Sequence, residues 1–155
     1  MLWIRKKNAC EETVKLVTTK SQIENVRILG PVRKETQVEI SLTDSFKLGV
    51  KAPIKESGNL DGTPGILIVG PKGYVFIEKG VIVPSRHIHV NEKLANELNV
   101  KDKQIVSVEC KGSRSVIFNQ VVVRVREDFV LDFHIDTDEA NAAGLNNRST
   151  VTIIS

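Results

Sequence analysis

Cysteines, aromatic residues and long apolar runs are all scarce in this chain of 155 residues. Two cysteines, Cys10 and Cys110, are too few for the disulfide framework of a small secreted domain and predict free thiols in a reducing cytoplasm. No apolar stretch approaches the roughly 20 residues that span a bilayer, which argues against a membrane protein. The opening Met1-Leu2-Trp3-Ile4-Arg5-Lys6-Lys7 places apolar residues before basic ones, the reverse of a secretory signal. An excess of one charge is also missing. Lys and Arg number 22 against 19 Asp and Glu, and a net +3 without a concentrated basic patch does not point to nucleic acid. What remains is 41% hydrophobic residues with ten Gly and five Pro, which excludes disorder and collagen-like repeats. The length suits one average domain or two small ones.

Short β-branched runs bounded by turn residues dominate the chain. Strands are predicted around 14–17, 23–29, 37–41, 65–69, 74–77, 81–84, 105–110, 115–125, 129–135 and 151–154. Two stretches read as short helices. Asn91 to Leu98 begins with an Asn cap, and Asp136 to Ala143 begins with an acidic first turn and stops at Gly144. The stretch from Pro53 to Pro64 reads as a loop. Many short strands with few small helices predict a mainly β chain of the barrel type.

An internal repeat runs through the pattern. A shift of 95 residues pairs Val26 with Val121, Ile28 with Val123, Asp44 with Glu139 and Gly49 with Gly144. It also sets Glu39 on His134. Two related units are therefore expected, 1–80 and 81–155, with strands open to exchange between them. The same shift would place the counterparts of His87 and His89 before Met1, so the first unit is expected to lack its opening strand and helix. Open strand edges of that kind invite pairing with another chain.

The three histidines carry the clearest chemical signal. His87-Ile88-His89 follows an apolar run, and on a strand residues i and i+2 face the same side. His134 lies in a second strand-end motif and offers a third nitrogen. Three imidazoles with open positions describe a catalytic zinc-type site, although ligand type alone also admits cobalt or iron. Against this stands the plainer reading of a solvated or hydrogen-bonded histidine pair on a strand edge.

Longer motifs carry a resemblance. They are Ile23 to Pro31, Arg33 to Ser41, Gly49 to Pro53, Glu56-Ser57-Gly58, Gly62 to Gly65, Ser85-Arg86-His87-Ile88-His89, and His134 to Gly144. In this order the chain resembles the phosphotransacylases of the propanediol-utilisation type, phosphate propanoyltransferases that exchange an acyl group between coenzyme A and phosphate. The resemblance implies two β-barrel domains with short helices and two metal ions, usually zinc. It implies that His87, His89 and His134 hold one metal and that Glu39 serves the other. Arg33 would be the catalytic arginine, holding phosphate and the developing negative charge. Ser57, Gly58 and Arg124 would also meet phosphate, while Arg27, Leu29, His134 and Asn141 would line the coenzyme A path. Acyl-CoA and phosphate are the implied substrates, and a homo-oligomer in the cytoplasm or in a bacterial microcompartment is the implied setting.

Plainer roles exist for most of these side chains. Arg27 and Arg124 suit exposed strand positions that cover apolar surface with their stems. Glu39 could cap a helix starting near Leu42, Ser57-Gly58 could be only a turn, and Arg33 could be a solvated charge. Asp136, Asp138 and Glu139 suit a helix first turn better than a metal site. The family's second His-x-His motif has no counterpart here. A catalytically weak, CoA-binding or assembly module and a metal-dependent thioester or acyl-phosphate hydrolase therefore stand as alternative readings.

Overall fold

The computed structural model describes residues 9–154, in which strand far outweighs helix, as the β-branched runs predict. The chain divides into two compact units after Pro84.

The first unit holds β1 (Ala9–Val17), β2 (Gln22–Leu29), β3 (Val38–Glu39), α1 (Leu42–Leu48), β4 (Ile54–Lys55), β5 (Ile66–Gly70), β6 (Gly73–Ile77) and β7 (Val81–Pro84). Four strands form an antiparallel sheet in the order β2-β1-β5-β6, while β3 and β4 flank β7 in parallel. Thr18 closes the β1–β2 turn, its Oγ1 accepting from the backbone of Lys20 and Ser21. Leu16, Val38, Ile40, Leu48, Ile66 and Val81 make the core, each no more than 7% exposed. At roughly 1.5–3 kcal/mol per fully buried aliphatic side chain, this cluster holds β1, β3, β5, β7 and α1 together. The expected strand 37–41 is only two residues long, because Ser41 turns away to cap α1 and accepts the Asp44 amide at 3.1 Å.

The second unit holds β8 (His87–Val90), α2 (Glu92–Glu97), β9 (Ile105–Cys110), β10 (Val116–Val125), β11 (Asp132–His134), α3 (Thr137–Ala143) and β12 (Val151–Ile154). Its sheet runs β11-β8-β10-β9-β12, with β8 and β10 parallel and the other neighbours antiparallel. Ile88, Val90, Val108, Val121, Val123 and Phe133 lie in its core. The predicted Asn91 cap is present and accepts the Leu94 amide. Asp136, expected in the first turn of its helix, is the N-cap and forms a reciprocal capping box with Glu139. The strand expected over 129–135 begins only at Asp132. Residues 126–129 form a turn instead, closed by the Phe129 amide donating to the Arg126 carbonyl.

Positions 95 apart share local geometry. Asn25 and Gln120 both have left-handed φ, 59° and 58°, within the second strand of a hairpin whose register shifts. Ser41 and Asp136 both cap seven-residue helices, and Gly49 and Gly144 end those helices with φ of 69° and 64°.

Candidate active site

On β8 the side chains alternate strictly. Ile88 and Val90 point into the core, so His87 and His89 share the opposite face, half-buried. Strand β11 pairs His134 directly with His87, and β10 on the other side pairs Arg124 with His89. Directly paired residues project to the same face, so three imidazoles and one guanidinium gather there. The rings of His87 and His134 are stacked, with centroids 4.7 Å apart, and His89 tilts toward both at 4.8 and 4.3 Å.

Two of these rings, His89 and His134, are held neutral. Burial pushes the His134 value down to about 3, helped by the neighbouring imidazoles and Arg124. Burial likewise lowers His89 to about 4, with His87 and Arg124 adding to the effect. A neutral imidazole is the form that ligates a metal. The Nε2 atoms of His89 and His134 are buried and meet no hydrogen-bond partner among the described residues, a costly arrangement for a polar atom. His87 is oriented by its Nδ1, 2.8 Å from the Ser85 carbonyl. One ligand atom from each ring lies within 4.8 Å of the others, so the three residues fit a shared metal ion. Among the described residues no other group of three or more His, Cys, Asp or Glu has such spacing.

In the first unit a second set of candidates comes together. Arg33 Nη1 donates to Ser57 Oγ at 3.0 Å, and Gln37 Nε2 donates to the same oxygen at 2.9 Å. Gln37 Nε2 also donates to Glu39 Oε1, while Gln37 Oε1 accepts the Gly58 amide at 2.7 Å. Arg33, Glu39, Ser57 and Gly58, drawn from two separate stretches, thus form one polar cluster with Gln37 at its centre. Glu39 does not cap α1; Ser41 does. Ser57 and Gly58 do lie in a turn, one tied to this cluster.

The remaining candidates are more dispersed. Arg27 and Leu29 lie exposed on β2, two residues apart and so on one face, with Leu29 57% exposed. Asn141 lies on α3 beside a groove of about 590 Å³ that Thr137, Leu145 and Arg148 also line. Asp136, Asp138 and Glu139 make up the cap and first turn of α3. Arg86 binds Glu139 at 2.7 Å, donates to the Asn119 carbonyl and lies over the Phe118 ring. It therefore ties α3 to β10 beside the histidine motif.

Two neighbours had no signal of their own in the sequence. Gln37 is an ordinary amide within a charged stretch. Phe129 stacks on His89 at 3.9 Å from the loop before β11 and walls one side of the imidazole cluster.

Known proteins supply a match along nearly the whole chain. The phosphate propanoyltransferase family profile covers residues 2–146. A phosphate propanoyltransferase of Thermotoga maritima is 59% identical over 94% of this chain and 70% of its own length. Proteins of the same name from Lachnoclostridium phytofermentans and Salmonella typhimurium are 52% identical, covering 94% and 90% of this chain and 69% and 67% of their own lengths.

Proposed function

Because the chain belongs to the phosphate propanoyltransferase family, a family of acyl-transferring enzymes, we propose that it moves a short acyl group, propanoyl among them, between coenzyme A and phosphate. The match over residues 2–146 is the observation that carries this reading. Each unit holds one polar cluster with side chains suited to part of that chemistry.

In the thioester-to-phosphate direction, an oxygen of hydrogen phosphate attacks the acyl carbonyl. A carbon–oxygen bond forms, the carbon–sulfur bond breaks, and the phosphate proton ends on the departing coenzyme A sulfur. The products are acyl phosphate and free thiol. The chain must hold two anionic substrates and stabilise charge that grows on the carbonyl oxygen. Arg33 is suited to the first task, since one of its five N–H donors serves Ser57 and the planar fork can meet phosphate through parallel charge-assisted bonds. Ser57 and Gly58 set the loop against which that anion rests. Arg124, beside His89, adds positive charge next to the imidazole cluster.

His87, His89 and His134 would hold one metal ion, zinc being the natural choice for three nitrogen donors. When bound, such an ion polarises a carbonyl or phosphoryl oxygen as a Lewis acid. Glu39 is assigned to a second metal, with Gln37 fixing its carboxylate. Arg27, Leu29, His134 and Asn141 are assigned to coenzyme A. Holding both substrates in place accounts for much of the remaining acceleration.

We also infer that the two units are related β-barrels, on the strength of the shared caps, left-handed residues and helix lengths 95 positions apart. A homo-oligomer is inferred from β6, an edge strand of its sheet among the described residues, where Tyr74 and Phe76 are 80% and 64% exposed. A place inside a bacterial microcompartment rests on the family resemblance alone.

The functional reading is tested by steady-state phosphate saturation in wild type and Arg33→Ala. Loss of phosphate saturation in the variant supports the assignment. An unchanged phosphate KM would remove Arg33 from the site.

A further inference from the structure

We propose that Gln37 is a positioning residue that makes Ser57 an obligatory hydrogen-bond donor toward the phosphate substrate. The inference rests on the reading above that Arg33 and the Ser57 loop hold phosphate, and goes beyond it in naming what organises that loop.

Hydrogen-bond capacity decides the role of Ser57. A serine hydroxyl has two acceptor lone pairs and one proton to give. Both acceptor positions of Ser57 are filled, by Arg33 Nη1 at 3.0 Å and Gln37 Nε2 at 2.9 Å. The only capacity left is its O–H, which must therefore donate. Inorganic phosphate presents oxygens that accept. With the spare N–H groups of Arg33, the Ser57 O–H makes a cluster of donors matched to such an anion.

Chemistry also fixes which way round the Gln37 amide lies. The Glu39 carboxylate, when ionised, only accepts, so the amide NH₂ faces it. The Gly58 backbone N–H only donates, so the amide oxygen faces that side, at 2.7 Å. In this orientation the second amide hydrogen reaches Ser57. Gln37 therefore uses both its hydrogens and its oxygen within the cluster, and it acts on phosphate through Ser57 without touching the anion.

The test is equilibrium dialysis of inorganic phosphate against the full chain and its variants, with thermal melting as a check of folding. Wild type binds phosphate, and Arg33→Ala weakens binding, if the underlying reading is right. Ser57→Ala and Gln37→Ala should each raise Kd about tenfold, as expected for loss of one hydrogen bond to a charged group. The double variant Gln37→Ala/Ser57→Ala should bind no more weakly than Ser57→Ala alone, because both changes remove the same interaction. A purely structural effect would instead multiply. Gln37→Met keeps the length of the side chain and serves the same purpose should Gln37→Ala melt early. If Arg33→Ala weakens binding while Gln37→Ala and Gln37→Met leave it unchanged, the inference about Gln37 is overturned and the phosphate site stands. Multiplicative effects in the double variant would also overturn it. If wild type binds no phosphate, or Arg33→Ala changes nothing, the site reading itself fails and takes this inference with it.

Discussion

Single side chains carry most of the chemistry. His87 and His89 converge because a strand alternates faces and Ile88 and Val90 claim the other side. That pairing was readable from spacing alone. The addition of His134 was an expectation from type and position, and β-pairing with His87 places it there. The cluster predicts binding of about one zinc ion per chain, with His134→Ala weakening affinity more than tenfold, measured by dialysis and elemental analysis. Equal affinity in the variant would remove His134 from the ligand set. The thiols make a separate prediction. Cys10 is exposed, whereas Cys110 is 1% exposed and burial pushes its thiol pKa up. A thiol reagent should modify one cysteine quickly in the native chain and two after unfolding. Gln37 and Phe129 were not legible, because their importance lies in which distant residues they meet: Ser57 and Gly58 for one, the His89 ring for the other.

At the scale of elements, the helices were the easiest part to read. Asp136, Glu139 and Gly144 form a start-and-stop signal with a direct physical cause, and α3 occupies the span between them. Asp136→Ala removes the cap and should cost about 1 kcal/mol in urea unfolding. Gly144→Ala should cost a similar amount, about 1 kcal/mol, because its φ of 64° strains any residue with a Cβ. The atoms nearest the added methyl belong to the Arg114 side chain, at 3.6 Å, so crowding contributes little. No loss of stability in either variant would contradict the capping account. Strand limits were harder to foresee. Apolar content continues from Val130 to Ile135, but Phe129 is engaged with His89 and Arg126, and pairing with β8 starts only at Asp132. The 95-residue repeat extends to surface features. Leu42, Ser45, Phe46 and Val50 line a groove beside α1, and their counterparts Thr137, Ala140, Asn141 and Leu145 line the groove beside α3.

For the whole molecule, the neutral histidines predict how stability follows pH. His89 and His134 titrate near 4 and 3 when folded, below the ordinary value of 6.5. Between these limits the unfolded chain binds more protons, so stability rises with pH there and falls as the solution is acidified from about 6.5 toward 3. With a chelator present, the urea midpoint should drop between pH 7.5 and pH 5, and His89→Gln/His134→Gln should flatten that dependence. An equally steep drop in the double variant would assign it to other groups. The mainly β character was visible in composition and spacing because short β-branched runs suit little else. The cluster around Gln37 was not, since it assembles residues from 33–39 and 57–58 through turns that leave no periodic trace. The most direct test of acyl transfer is a mixture of the metal-loaded protein, propanoyl phosphate and coenzyme A, followed for inorganic phosphate and thioester together. The account predicts one thioester formed and one thiol consumed for each phosphate released. Phosphate release with the thiol untouched would identify a hydrolase and contradict it.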